Sequence, residues 1–313
     1  NFGTDIFISK NNFGKARDGH KVLAKITKYP VNHKNAEGKI IEVLGGPNEA
    51  GIDMLSLIKE YNLPSKFPEP VVDEAKKYGN EIDKKDIKNR VDLRKDIIFT
   101  IDGEDAKDLD DAVRVEKLDN GNYQLDVHIA DVSNYVKEGS LLDKEALIRG
   151  TSIYMLGRVI PMLPRELSNG ICSLNAGEDR FTLSCSMEID TKGNVVSSEI
   201  YKGVINVTER MNYHDVQAIL DRSDKKVIER YEKYIEQFDL MAELALILKK
   251  RRLEVGYLNL DIPESKIELD INGRTVNVEK YETSFSNEII EQFMLTANET
   301  VAEKFYWLEA PFI

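Results

Sequence analysis

Residues 100–113 read Thr100-Ile-Asp-Gly-Glu-Asp-Ala-Lys-Asp-Leu-Asp-Asp-Ala-Val113, which places Asp102, Asp105, Asp108, Asp110, Asp111 and Glu104 in one short loop. Apolar runs flank it: Asp96-Ile-Ile-Phe-Thr-Ile101 before, and a segment of alternating hydrophobicity over 111–118 after. The pattern is strand, acidic loop, strand. Like charges packed this closely repel, and strands on both sides prevent the loop from dispersing into solvent. A bound cation would neutralise them. Hard divalent ions take carboxylate oxygens, and Mg²⁺ uses one or two carboxylates together with water and substrate phosphate. Two such ions roughly 4 Å apart would clamp the attacking and leaving oxygens of a phosphodiester. A calcium loop of the EF-hand type does not fit, because Lys107 and Val113 stand where that loop needs glycine and glutamate. From these residues two readings stay open: a divalent-metal site for phosphoryl or nucleotidyl hydrolysis, and a solvated acidic loop.

Working outward, Asp119-Asn-Gly-Asn122 signals a hairpin between strands at 111–118 and 123–132, and Thr191-Lys-Gly-Asn194 signals another between 181–189 and 195–207. Before the acidic loop, 52–62 and 70–79 have helical patterns separated by the proline-rich Leu63-Pro-Ser-Lys-Phe-Pro-Glu-Pro70. Beyond 207 the chain reads as mostly helical. Ile228, Tyr231, Ile235, Phe238, Met241, Leu244 and Leu248 predict one long amphipathic helix over 225–253, and Ile290, Phe293, Met294, Ala297, Val301 and Phe305 another over 287–308. The fold class expected is α+β, a mainly antiparallel sheet with helices packed against it. At the front, strand patterns at 5–9, 20–27 and 38–44 suit part of an oligonucleotide-binding β-barrel, which closes with five strands. The expected organisation is a partial barrel over 1–46, a linker with helices over 47–95, and the larger domain over 96–313.

Net charge is −12, which by itself argues against a nucleic-acid partner. The distribution is uneven, however: residues 1–50 hold eight Lys/Arg against five Asp/Glu, and Lys84-Lys-Asp-Ile-Lys-Asn-Arg-Val-Asp-Leu-Arg-Lys95 is a second basic stretch. RNA therefore stays open as a partner. Cys172 and Cys185 have no zinc or redox spacing and read as two reduced buried thiols, which suits a cytoplasmic setting. His20, His33, His128 and His214 lack the spacing of a zinc site. No apolar run approaches the roughly 18 residues of a membrane-spanning helix.

The stretch Phe99–Val113 resembles the catalytic-domain signature of the ribonuclease II/ribonuclease R family. The similarity continues through Val127-His-Ile-Ala-Asp-Val-Ser133, Ile160-Pro-Met-Leu-Pro-Arg-Glu-Leu-Ser168, Cys172-Ser-Leu174 and Glu288-Ile-Ile-Glu-Gln-Phe-Met-Leu-Thr-Ala-Asn-Glu299. The span 3–44 is similar to the later part of the cold-shock barrel of these enzymes, and the ribonuclease R branch is favoured. The resemblance implies a processive 3′-to-5′ exoribonuclease that hydrolyses single-stranded RNA to nucleoside 5′-monophosphates. It implies Mg²⁺ as cofactor, with Mn²⁺ as a substitute, held by Asp102, Asp108, Asp110 and Asp111, with Asp110 indispensable for hydrolysis. Tyr154 matches a tyrosine near the RNA 3′ end and Glu291 a glutamate that contacts the terminal nucleotide. A further aromatic of the family's base clamp is expected near Leu258–Leu260, where this chain has leucines and Asn259, with Tyr257 nearby. The family's catalytic domain continues past residue 313 with an arginine-bearing segment, so the chain by itself is expected to be inactive. The alternative is a non-catalytic single-stranded RNA-binding protein of the same fold.

Overall fold

The computed structural model describes residues 5–31, 35–47, 49–258, 262 and 264–311. Along the chain run β1 (Ile6–Ile8), β2 (Lys21–Lys28), β3 (Ala36–Gly45), α1 (Ile52–Glu60), α2 (Glu69–Lys76), β4 (Val91–Leu93), β5 (Phe99–Asp102), β6 (Asp111–Lys117) and β7 (Tyr123–Ala130). There follow α3 (Leu141–Arg149), β8 (Ile153–Met155), β9 (Arg158–Ile160), β10 (Asp179–Ile189), β11 (Val195–Asn206), β12 (Glu209–Asn212), α4 (Tyr213–Asp221), α5 (Lys225–Arg230), α6 (Ile235–Glu254), β13 (Ser265–Leu269), β14 (Thr275–Lys280) and α7 (Phe285–Trp307).

Two compact units result. The smaller takes residues 1–67, 151–160 and 263–281. It holds a three-stranded sheet in the order β1-β3-β2 and two hairpins, β8-β9 and β13-β14. The larger takes 68–150, 161–262 and 282–313 and carries a seven-stranded sheet in the order β12-β5-β6-β7-β10-β11-β4. Its central pairings are antiparallel, while the edge strands β12 and β4 pair parallel with β5 and β11. The fold is thus α+β with a mainly antiparallel sheet. Both hairpin turns read from the sequence form, with Gly121 at φ +85° and Gly193 at φ +84°, a region that glycine enters without steric cost.

Alternation along the strands decides which face is core. Val113, Val127 and Cys185 stand in one cross-strand row, and Val115, Leu125 and Met187 in the next. All are buried against Val216 and Ile219 of α4, Phe238, Met241, Leu244 and Leu248 of α6, and Ile289, Phe293 and Ala297 of α7. Fully burying each such side chain contributes about 1.5–3 kcal/mol, so this layer is the chief source of the unit's stability. The next row on the same face is Asp111, Ile129 and Leu183, and there both apolar side chains are exposed. The covered part of the sheet therefore ends where the acidic loop begins.

The opposite face is polar. Arg114 Nη1 donates to Asp126 Oδ2 at 2.6 Å, Ser186 also donates to Asp126, and His128 Nδ1 meets Ser184 Oγ at 2.8 Å. Burial holds His128 down to about 4, so it is neutral at physiological pH and belongs to this buried network.

Two readings of the sequence are corrected. The helix expected over 225–253 is interrupted: α5 ends at Arg230, a short 3₁₀ turn spans Glu232–Tyr234, and α6 starts at Ile235. Tyr231 and Tyr234 are both buried, and Tyr234 meets the Phe99 ring edge-on at 5.0 Å. Residues three apart share a face of a helix, so the burial of these two rings does not itself require the break. The stretch after 207 is also less helical than expected, because β12 and the β13-β14 hairpin lie in it. The residues of β13 and β14 are almost all exposed, although Ile267 and Leu269, and Val276 and Val278, alternate with polar residues about the turn at Asn272-Gly273.

Phe99 sits at the centre of the packed face, with Phe238 4.9 Å away between ring centroids. Phe238→Ala is expected to cost about 3–5 kcal/mol, read from the urea midpoint at unchanged slope. A loss below about 1 kcal/mol would mean that the site collapses around the deletion.

Candidate active site on the acidic loop

Asp102 is the last residue of β5 and Asp111 the first of β6, and Phe99 pairs with Val113 across these antiparallel neighbours. The sheet thus fixes both ends of the loop side by side. Between them Leu109 is buried and serves as the anchor. Its backbone N donates to Ser173 Oγ at 3.2 Å, its carbonyl accepts from Leu174 N at 2.8 Å, and Ser173 Oγ donates to the Lys107 carbonyl at 3.0 Å. Ala130 N donates to the Asp110 carbonyl at 2.9 Å. Burying Leu109 turns its neighbours Asp108 and Asp110 outward. Arg210, on β12, donates from Nη2 to the carbonyls of Glu104 at 3.0 Å and Ala106 at 2.6 Å.

These constraints bring the four aspartates within electrostatic reach of one another. Burial raises Asp102 to about 7, the charges of Asp111, Asp110 and Asp108 push it the same way, and Arg210 opposes them. Asp110 is raised to about 6 by loss of solvent first, then by Asp108 and Asp111, although its side chain keeps an exposed surface. Asp111 is raised by burial. Asp102 Oδ2 is buried with no hydrogen-bond partner among the described residues. Buried carboxylate oxygens are normally satisfied, so this atom marks a place where a positive group fits.

A divalent cation suits this donor set in chemistry and charge. Among the described residues, no three or more His, Cys, Asp or Glu side chains are already gathered into a coordination shell.

The other expected residues lie elsewhere. Glu291 is exposed on α7, where Tyr257 donates to its Oε1 at 3.3 Å. Tyr154 stands on β8 in the smaller unit and is exposed. Of the expected clamp positions Leu258 is exposed, while Asn259 and Leu260 lie outside the described residues. Cys172 and Cys185 are free and buried, with burial raising their thiols to about 12 and about 11. Among the described residues no helix is long and apolar enough to cross a membrane. Sequence reasoning missed Arg210 and the clip formed by Ser173, because both reach the loop across long chain separations without any periodic signal.

The structure defines an α+β domain whose sheet ends in a cluster of mutually repelling aspartates, and comparison with known proteins gives its family. The chain belongs to the RNB family: the RNB domain model matches residues 90–313, and the cold shock domain model matches residues 1–68. Ribonuclease R of Thermotoga maritima is 47% identical over 99% of this chain, which covers 44% of that relative's own length. The structure of Mycoplasma genitalium RNase R in complex with double-stranded RNA superposes with a TM-score of 0.89 at 25% identity, covering 99% of this chain and 55% of that one. Yeast Ssd1, described as a pseudonuclease, shares the fold at a TM-score of 0.69 and 19% identity, over 96% of this chain and 38% of that one.

The raised carboxyls set the pH dependence of the cation-free protein. Asp102 moves from an ordinary 3.8 to about 7 on folding, so the folded state holds its proton more tightly. The stabilisation is complete below about pH 4 and is lost as pH rises through about 7. Without divalent ions the melting temperature should fall between pH 5 and pH 8, and Asp102→Asn should flatten that fall. Adding Mg²⁺ or Mn²⁺ should raise the melting temperature at pH 8 more than at pH 5. An equal effect at both would separate the cation from these carboxylates.

Proposed function

We propose that the protein carrying this chain is a 3′-to-5′ exoribonuclease that hydrolyses single-stranded RNA processively to nucleoside 5′-monophosphates. The observation that carries the reading is the loop itself: four aspartates held together, one with a buried oxygen lacking a partner among the described residues, in a chain 47% identical to a ribonuclease R. Asp102, Asp108, Asp110 and Asp111 would hold Mg²⁺, with Mn²⁺ as a substitute. When bound, the cation supplies Lewis-acid polarisation of the scissile phosphate and lowers the pKa of water.

The chain's own residues supply position. Asp102 and Asp111 are carried by strand ends and cannot drift, while Leu109 and Ser173 hold Asp108 and Asp110 toward the open side. Asp110 is the exposed carboxylate of the set and hence the one open to substrate. Tyr154 offers an exposed ring on which any base stacks, a contact worth roughly 1–3 kcal/mol and indifferent to sequence. Glu291 offers a carboxylate to a ribose hydroxyl, the group by which such a site would tell RNA from DNA. Both thiols are free and buried, which supports a reducing cytoplasm as the compartment of this reading.

A second reading is a non-catalytic RNA-binding protein. It is favoured by the likeness to yeast Ssd1, which has this fold and is described as a pseudonuclease. The two readings separate in a single assay: decay of a 5′-labelled single-stranded RNA with Mg²⁺, by this chain and by a C-terminally extended version. Asp110→Asn is expected to lower the rate by about 10²–10³-fold, the scale of losing one preorganised charge contact to the transition state. It should leave RNA affinity in EDTA unchanged. Binding without cleavage by either version would put the second reading first. Tyr154→Ala should weaken RNA binding by roughly 1–3 kcal/mol, equally for all four bases, as read by fluorescence anisotropy; a loss confined to one base would replace stacking by a specific contact.

A further inference from the structure

We propose that Arg210 is a positioning residue for the cation site, tethering the outer half of the acidic loop so that Asp108 and Asp110 are presented against Asp102 and Asp111. The inference rests on the reading of these aspartates as a cation site. Among the described residues, Arg210 is the long-range tether of the outer half: its Nη2 bonds the carbonyls of Glu104 and Ala106 at 3.0 and 2.6 Å. Beside it, among the described residues, stands the local turn from Ala106 N to the Gly103 carbonyl at 3.1 Å. The inner half is held separately, by Ser173, Leu174 and Ala130 at Lys107, Leu109 and Asp110.

The choice of partners is informative. An arginine beside so many carboxylates would ordinarily form a bidentate ion pair with one of them. Among the described residues Arg210 makes no ion pair and spends Nη2 on two carbonyls instead. The carboxylate oxygens are thereby left for another cation while the loop backbone is still fixed. Register supports the same role. Arg210 pairs with Thr100 and Asn212 with Asp102 across β12 and β5, so the tether stands on the strand that adjoins the first aspartate. Asn212 in turn caps α4 by accepting from Asp215 N at 2.7 Å, which anchors that strand in the core layer. Arg210 itself is exposed, so replacing it leaves the packed face intact.

Charge and tether have opposite consequences when Arg210 is replaced. Removing a positive charge beside carboxylates would by itself tighten cation binding, whereas releasing the loop would weaken it. The test is calorimetric titration of Mn²⁺ at pH 7.5 into this chain, alongside amide hydrogen exchange over residues 103–108 without metal. For Arg210→Met we expect Mn²⁺ affinity to fall at least fivefold and loop exchange to quicken. For Arg210→Lys, whose single ammonium can reach both carbonyls, affinity should stay within twofold of wild type. Should the Met variant not fold, the same contrast between Arg210→Lys and Arg210→Gln decides, because glutamine is too short to reach. Unchanged or tighter Mn²⁺ binding by the uncharged variant overturns the proposal. A wild-type chain that takes up no Mn²⁺ removes the cation reading itself, which is a distinct result.

Discussion

Repulsion among Asp102, Asp108, Asp110 and Asp111 is the constraint on which the rest of the site depends. Left to itself such a loop would expand until its charges were hydrated apart. It does not, because two of the four carboxylates are carried by the ends of adjacent strands and a third and fourth flank a buried leucine. The free energy that holds them comes from elsewhere, from the apolar layer between the sheet and the helices α4, α6 and α7. A stable core thus maintains a local arrangement that the local sequence disfavours, and the mismatch shows as carboxyl groups raised well above their ordinary range.

The two faces of the seven-stranded sheet divide the work. One is packed by helices and then lies open at the row of Asp111, Ile129 and Leu183. The other carries a buried polar network around Asp126 and His128. Among the described residues, His128 Nε2 is left without a partner while Nδ1 meets Ser184 Oγ, and burial keeps this histidine neutral. The network's value is orientational, since paired polar groups specify one strand register where apolar ones would tolerate several.

Likeness of fold alone would not decide the chemistry, because the same architecture occurs in yeast Ssd1, described as a pseudonuclease. The functional reading rests on this chain's own loop: the aspartates are present, their carboxyls act on one another, and one oxygen is buried without a partner among the described residues. These are properties of residues, and they give the functional reading a footing apart from resemblance.

Much of this was legible in the amino-acid sequence. A continuous apolar run marked β5, alternation marked β6 and β7, the Asn-Gly and Lys-Gly turns marked the β6-β7 and β10-β11 hairpins, and the crowding of aspartates marked the site. Each of these signals is local, set by a few neighbouring residues. The break between α5 and α6 was hidden, because Ile228, Tyr231, Ile235 and Phe238 continue one helical stripe across it. The β13-β14 hairpin had a local signal too, Ile267 and Leu269 and Val276 and Val278 alternating about Asn272-Gly273, which the expectation of a mostly helical stretch passed over. Arg210 and Ser173 were hidden for a different reason: each meets the loop across a long stretch of chain, through backbone carbonyl and amide groups that every sequence has. The sequence by itself determined which residues carry charge and which strands carry the core. Only the tertiary structure decided which backbone groups hold the loop, because those contacts depend on strand order and register and leave no mark on residue type.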